Sequence, residues 1–289
     1  MKAFIKTTFV TITALTIILS AVFSIATPLT ITHSSSMAPL AFINNDGKPD
    51  GVLIDLWNEW ARQAGVEVVF KLQTWKAAVE DTANSNANIN AGMFYSRQRA
   101  ERMLYADYIL HLKGGLFAIR DIHEKTILNG DESCGVIKGG YSKIFMEEQH
   151  PYTPLMLFNS AQEMFDAAAG GRLKIFVADH PVAVNQMNKL GISDSFKYVQ
   201  DLYTRELYPT VSKNNPELIK KINLNMAAIP PKRKWAIIHK WLNPTTANQN
   251  HYKAISIITA LVLILMSYLY RNEIKTALIA IKDKLSGPS

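Results

Sequence analysis

Two long apolar runs stand near the ends of the 289-residue chain, and they decide which part is left to build a water-soluble core. The second run, Ala254 to Tyr270 (AISIITALVLILMSYLY), carries no charge. At about 1.5 Å per residue it falls slightly short of a ~30 Å hydrocarbon core. Tyr252, Tyr268 and Tyr270 extend it as interfacial aromatics. It is apolar on every side, unlike a core helix next to solvent, so a transmembrane helix is predicted over residues 251–271. Arg271, Lys275, Lys282 and Lys284 follow it against Glu273 and Asp283. Positive charge marks the cytoplasmic side, which places a short tail, residues 272–289, in the cytoplasm. The first run has the three parts of a secretory signal over residues 1–26. These are Lys2 and Lys6, the apolar stretch Thr7 to Phe23, and Ser24-Ile25-Ala26 as a cleavage site. An uncleaved anchor helix is the alternative. No cysteine follows Ala26, so a lipid anchor there is excluded. Both ends place residues 27–250 outside the inner membrane.

The formal charge of +7 invites a nucleic-acid reading. The flanks of the two apolar runs take up most of that excess, leaving about +3 for the middle of the chain. No cluster of Lys and Arg there is interleaved with aromatics, so no nucleic-acid partner is expected. Catalytic signatures are equally poor. His180 adjoins Asp179 without a positioned nucleophile, and adjacent residues at a strand end point apart. Glu147, Glu148 and His150 have no matching ligands at metal spacing, and no glycine-rich loop precedes a Lys-Ser/Thr pair. No cofactor, no metal and no enzymatic activity are expected. The lone Cys134 has no intramolecular partner for a disulfide and reads as a buried thiol.

The middle alternates between helical and strand periodicity. Val52 to Ala64 has apolar residues at helical spacing and stops at Gly65. Strand Val66 to Leu72, helix Trp75 to Thr82 and strand Ile89 to Phe94 follow. The pattern restarts after residue 130 with strand Gly135 to Ile137 and helices Tyr141 to Gln149 and Ala161 to Ala169. Strand Leu173 to Val177, helix Pro181 to Leu190 and strand Leu207 to Ser212 come next, then helices Pro216 to Ala228 and Pro231 to Trp241. Alternation of this kind predicts parallel βαβ units. Two such α/β units, the second interrupting the first, leave a cleft between lobes where small ligands bind.

Five stretches, in order, resemble the type 2 periplasmic binding proteins, specifically the extracellular solute-binding family 3. Met37-Ala38-Pro39-Leu40-Ala41-Phe42, followed by Asp46 to Gly51, resembles the family's opening aromatic-Ala-Pro-Phe motif and turn. Ile54-Asp55-Leu56 resembles the start of its first helix. Ala91 to Arg102 (AGMFYSRQRAER) resembles its most specific block, a Ser or Thr followed three residues later by an arginine. Gly135 to Gly140 resembles the loop opening the second lobe's binding helix, and Arg172 to Asp179 a strand ending in a ligand-facing aspartate. The resemblance covers residues 29–243. Its wording is most similar to the periplasmic domains of membrane-bound diguanylate cyclases and histidine kinases, although no such output domain fits after Tyr270. It implies a two-lobed α/β Venus-flytrap fold, with lobe 1 over about 29–115 and 207–243 and lobe 2 over about 119–203. It also implies a small carboxylate-bearing ligand such as an amino acid, and a signalling protein or an uptake permease as partner.

The resemblance, laid on these residues, implies the site. Arg99 would clamp the carboxylate with its planar fork of donors, while Arg97 and Arg102 read as surface residues. Asp179 would accept from an α-amino group, or cap the helix that follows. Gly139 and Gly140 would let backbone approach the ligand ahead of Tyr141, or simply make a turn. Ser96 would donate to the carboxylate or cap the helix of Arg99. Trp75 would line one wall. Met37 stands where the family often has a stacking aromatic, and Phe94 where amino-acid binders usually have Ser or Thr. Both departures make the expected cleft more apolar, unless Phe94 is core. Trp57 and Trp60 read as packing residues of an amphipathic helix.

Overall fold

The computed structural model describes residues 27–123, 127–242, 256–266, 268 and 270. The described residues up to Ile237 form one compact unit, and those from Ile238 onward belong to a second. In chain order the elements are β1 (Leu29–Ser34), β2 (Ser36–Met37), β3 (Ala41–Ile43), β4 (Pro49–Asp50), α1 (Val52–Ala64), β5 (Val68–Gln73), α2 (Trp75–Ala83) and β6 (Ile89–Phe94). Then come α3 (Arg97–Ala100), β7 (Met103–Tyr105), β8 (Leu110–Ile119), β9 (Cys134–Ile137), α4 (Tyr141–Gln149) and β10 (Leu155–Phe158). The last are α5 (Ala161–Ala169), β11 (Ile175–Asp179), α6 (His180–Leu190), β12 (Phe196–Ser212), α7 (Glu217–Ala227) and α8 (Pro231–Leu242).

The sheet order β10-β9-β11-β8-β12-β6-β1-β5 divides into two groups. At one end β1 pairs in parallel with both β5 and β6, and at the other β9 pairs in parallel with both β10 and β11. Between them β8 and β12 run antiparallel over most of their length, from Phe196↔Ile119 to Leu207↔Leu110. These two strands are the crossovers, and β12 goes on to pair with β6 and β7. The predicted parallel βαβ units are present in both groups, and the antiparallel crossovers make the sheet as a whole mixed.

Local sequence explains the first group. All six residues of β6 are buried, as an apolar run covered on both faces requires. Helix α1 turns Leu53, Leu56, Trp57 and Trp60 inward and ends where Gly65 takes a left-handed conformation, φ 61°. Both tryptophans are fully buried, and each satisfies its indole N–H. Trp57 donates to the Ala91 carbonyl at 2.9 Å, and Trp60 to that of Ile222 at 3.1 Å. In the second group Phe117, Phe165, Phe176 and Phe196 stack around β11 at 5.0–5.3 Å between ring centroids. Cys134 is a buried free thiol, and burial pushes it up to about 12.

Residues 256–266 are helical, with exposed Ile257, Ile258, Leu261, Val262, Leu263, Ile264, Leu265 and Met266. Among the described residues no helix is long and apolar enough to cross a membrane. The predicted signal, 1–26, lies outside the described residues, as do 251–255, 267, 269 and 271 of the predicted span and the tail after it.

Candidate functional site

The loops leaving β6, β9 and β11 converge on one place. After Phe94 the chain turns at Tyr95 and Ser96 into the single turn of α3. Ser96 caps it, its hydroxyl accepting from the Arg99 backbone N–H at 3.4 Å. Ser96 is thus occupied as a cap and does not line the central cavity. The cap throws the Arg99 side chain inward, where it is 6% exposed. One terminal nitrogen donates to the Phe94 carbonyl at 3.0 Å and the other to the Gly139 carbonyl at 2.8 Å. Burial lowers the affinity of its guanidinium for the proton; Tyr105, Tyr141, Tyr203 and Asp179 act the other way. Each terminal nitrogen keeps a second N–H, so the fork still has donors to offer an anion. Arg97 and Arg102 are exposed, and Arg102 pairs with Glu80 at 2.9 Å.

Gly139 adopts φ +73°, which its lack of a Cβ permits. Its carbonyl receives a second donor, the Trp75 indole N–H, at 3.0 Å. Trp75 opens α2, and the Arg99 guanidinium carbon lies 5.5 Å from its ring centroid. Gly139 therefore meets the opposite lobe through its oxygen and does not line the cavity, whereas Gly140 and Tyr141, at the start of α4, do.

Asp179 ends β11 and occupies the cap position of α6 without a side-chain cap bond. Part of the residue reaches solvent, yet its carboxyl is enclosed deeply enough to be pushed up to about 7, with Arg99 opposing the shift. Phe94, 5% exposed, meets Tyr141 edge-on at 5.4 Å and Tyr203 at 6.0 Å. It lines the cavity as well as packing. Met37 lines it too, beside Trp75 and Met93. The free volume at its centre is about 60 Å³, room for a few water molecules. Among the described residues no group of three or more His, Cys, Asp or Glu is placed to hold a metal ion.

Tyr203 and His33 are among the lining or bordering residues that the sequence reading does not reach. Tyr203, on β12, packs against Tyr141 and Phe145 at 5.0 Å each and lies directly over Gly114 of β8. His33, on β1, is fully buried against Trp75. The Gly114-Gly115 pair was the one available signal for the first; nothing in the local pattern pointed to the second.

A cleft between two α/β groups joined by two crossover strands, with a buried arginine on one side and a carboxylate on the other, defines a small-solute-binding protein. The chain belongs to the bacterial extracellular solute-binding proteins, family 3, whose model matches residues 29–244. Its fold is that of the type 2 periplasmic binding proteins. It is similar to an ancestral arginine-binding protein bound to arginine (TM-score 0.69, 20% identity, 75% of this chain and 99% of that one). It is also similar to a histidine kinase sensor domain with similarity to periplasmic binding proteins (0.70, 18%, 75% and 97%). A third likeness is to the L-cysteine solute receptors of Neisseria gonorrhoeae (0.69, 22%, 77% and 92%). No curated protein matches the chain in sequence.

Proposed function

We propose that the cleft binds a small carboxylate-bearing solute, an amino acid or derivative with an apolar body, and that the protein performs no chemistry on it. The observation that carries this reading is the buried Arg99 fork, held between two backbone carbonyls and facing a cavity that also receives Asp179. Arg99, Gly140 and the first amides of α4 suit the carboxylate. Asp179 suits an α-amino group, and Phe94, Tyr141, Met37 and Trp75 suit the apolar body. The similar proteins that bind arginine and L-cysteine agree with an amino-acid class without fixing its member. A thermal-shift screen of L-amino acids and small carboxylates on the full chain tests this. The expected result is stabilisation by carboxylates with apolar or aromatic side chains, and the contrary result is stabilisation only by cations or sugars.

The binding domain is assigned to the periplasm, tethered by a single C-terminal helix to the bacterial inner membrane after signal cleavage. Support comes from the charge-free run Ala254 to Tyr270, the basic residues after it, and the apolar groups exposed all round residues 256–266. A reporter fused after Ser289 should be active only in the cytoplasm, and one fused near Asn248 only in the periplasm; periplasmic activity at Ser289 contradicts the assignment. We favour a sensory input module over an uptake receptor because α8, just ahead of the tether, is tied to the binding domain. Arg233 donates to Glu59 of α1 at 3.3 Å, and Glu59 is 5% exposed. A neighbouring cyclase or kinase gene would fit the sensory reading; permease and ATPase genes would fit uptake.

A further inference from the structure

His33 is 1% exposed and lines the cavity with its ring edge-to-face on Trp75, centroids 5.1 Å apart. Its Nε2 lies 3.1 Å from the Gly92 carbonyl oxygen. A carbonyl only accepts, so Nε2 carries the ring hydrogen. Burial pulls the imidazole down to about 4, against the backbone groups of Gly92 and Ser34, so the ring is neutral at pH 7. A neutral ring with its hydrogen on Nε2 presents a bare lone pair on Nδ1.

That Nδ1 is buried and has no hydrogen-bond partner among the described residues. Buried acceptors are normally satisfied, and leaving one unmade costs stability. Three other buried side-chain atoms share this condition, on Ser36, Asn90 and Gln186, but none of those residues lines the cavity. The unmet acceptor that borders the ligand space is therefore His33. We propose that His33 is a specificity-determining residue, whose Nδ1 accepts a hydrogen bond from an N–H or O–H on the part of the ligand remote from its carboxylate. This rests on the carboxylate reading of Arg99 and adds a second polar requirement to it. Met37, Leu40 and Met93 line the same cavity, so a neutral hydroxyl or amide fits better there than an ammonium ion.

The test uses the full chain and three matched pairs of L-amino acids of rising length: threonine and valine, glutamine and methionine, tyrosine and phenylalanine. Within each pair the first member adds a hydrogen-bond donor at nearly constant shape. His33→Leu removes the Nδ1 acceptor and supplies none in its place, and the loss of the donor to the Gly92 carbonyl bears equally on both members of a pair. By calorimetry, the pair that reaches His33 should favour its donor member about tenfold in the wild type. In His33→Leu that preference should fall to about twofold or less, with the apolar member bound about as before. Arg99→Ala should weaken both members alike. Binding that depends on Arg99 but shows no donor preference in any pair, or a preference that His33→Leu retains, overturns the proposal and leaves the clamp standing. If no member binds, or Arg99→Ala binds as the wild type does, the clamp reading fails. His33 is then decided by nitrogen NMR of the unliganded chain: a hydrogen on Nδ1 overturns the proposal, and a bare Nδ1 sustains it.

Discussion

His33 and Asp179 face the same cavity with opposite linkage to pH. His33 is held down at about 4 from an ordinary 6.5, so between those values the unfolded chain binds the extra proton, and this residue's contribution to stability rises with pH. Asp179 is pushed up from 3.8 to about 7, so the folded chain binds the extra proton, and its contribution is lost as pH rises through that window. Across roughly pH 4 to 6.5 the two slopes oppose each other. Removing one should expose the other. Relative to the wild type, Asp179→Asn should gain stability progressively from about pH 4 to 7. His33→Gln should lose its extra slope below about pH 6.5, so that its stability relative to the wild type is greatest in acid. Urea denaturation at half-unit pH steps measures both, and parallel curves for all three proteins would contradict the assignment. Arg99 and Phe94 were legible as site candidates through the family resemblance of the stretch Ala91 to Arg102, and Asp179 also because it ends a strand, where a parallel sheet exposes its ligand-facing groups. His33 was not, because it stands among Thr30, Thr32 and Ser34 in β1, and the local sequence is the same whether or not its second nitrogen is satisfied.

At the scale of elements, the helices and strands β5, β6, β9 and β11 were readable from their periods, and β6 and α1 have the predicted bounds. Strands β1, β10 and the crossover strand β8 were not, and of the crossover strand β12 only the end, Leu207 to Ser212, was. β8 carries Gly114-Gly115 at its centre, a signal that reads as a break, and the first part of β12, Phe196 to Glu206, mixes exposed, half-buried and buried residues with the charges of Lys197, Asp201, Arg205 and Glu206. What holds them extended is their pairing with each other across about 80 residues of chain, a long-range fact with no local signature. The same pairing brings Tyr203 over Gly114 and so into the site. A Cβ at Gly114 would lie 2.0 Å from the Tyr203 ring, too close for the ring to stay. Gly114→Ala should therefore cost about 1–3 kcal/mol, or roughly 2–12 °C in melting temperature for a domain of this size. In a Tyr203→Ala background the same change should cost almost nothing, because the clash is gone. An equal drop in both backgrounds would show that the glycine serves the β8 backbone and not the aromatic contact.

For the whole molecule, the two sides of the cleft meet through aromatic contact, Phe94 on Tyr141 at 5.4 Å, and through a small set of polar contacts. Arg99 and Trp75 both donate to the Gly139 carbonyl, and the Gln186 side-chain amide donates to the Ser36 carbonyl at 3.3 Å. Each such bond is worth about 0.5–1.5 kcal/mol net, somewhat more from a charged donor. Together they hold the lobes closed by a few kcal/mol at most, a bias that a ligand adds to through its differential affinity for the closed form. Arg99 and Trp75 both bridge the lobes and line the cavity, but of the two only Arg99 carries the charge that would hold a carboxylate, so the central claim rests on it. The direct measurement is calorimetric titration of the tightest-binding carboxylate into wild type, Arg99→Ala, Arg99→Lys and Arg97→Ala. Losing one charge-assisted bond costs about 1.5–3 kcal/mol, and losing a bidentate pair costs more. Arg99→Ala should bind at least tenfold more weakly while still melting cooperatively, Arg99→Lys should recover little, and Arg97→Ala should match the wild type. Wild-type affinity in a folded Arg99→Ala protein would contradict the account.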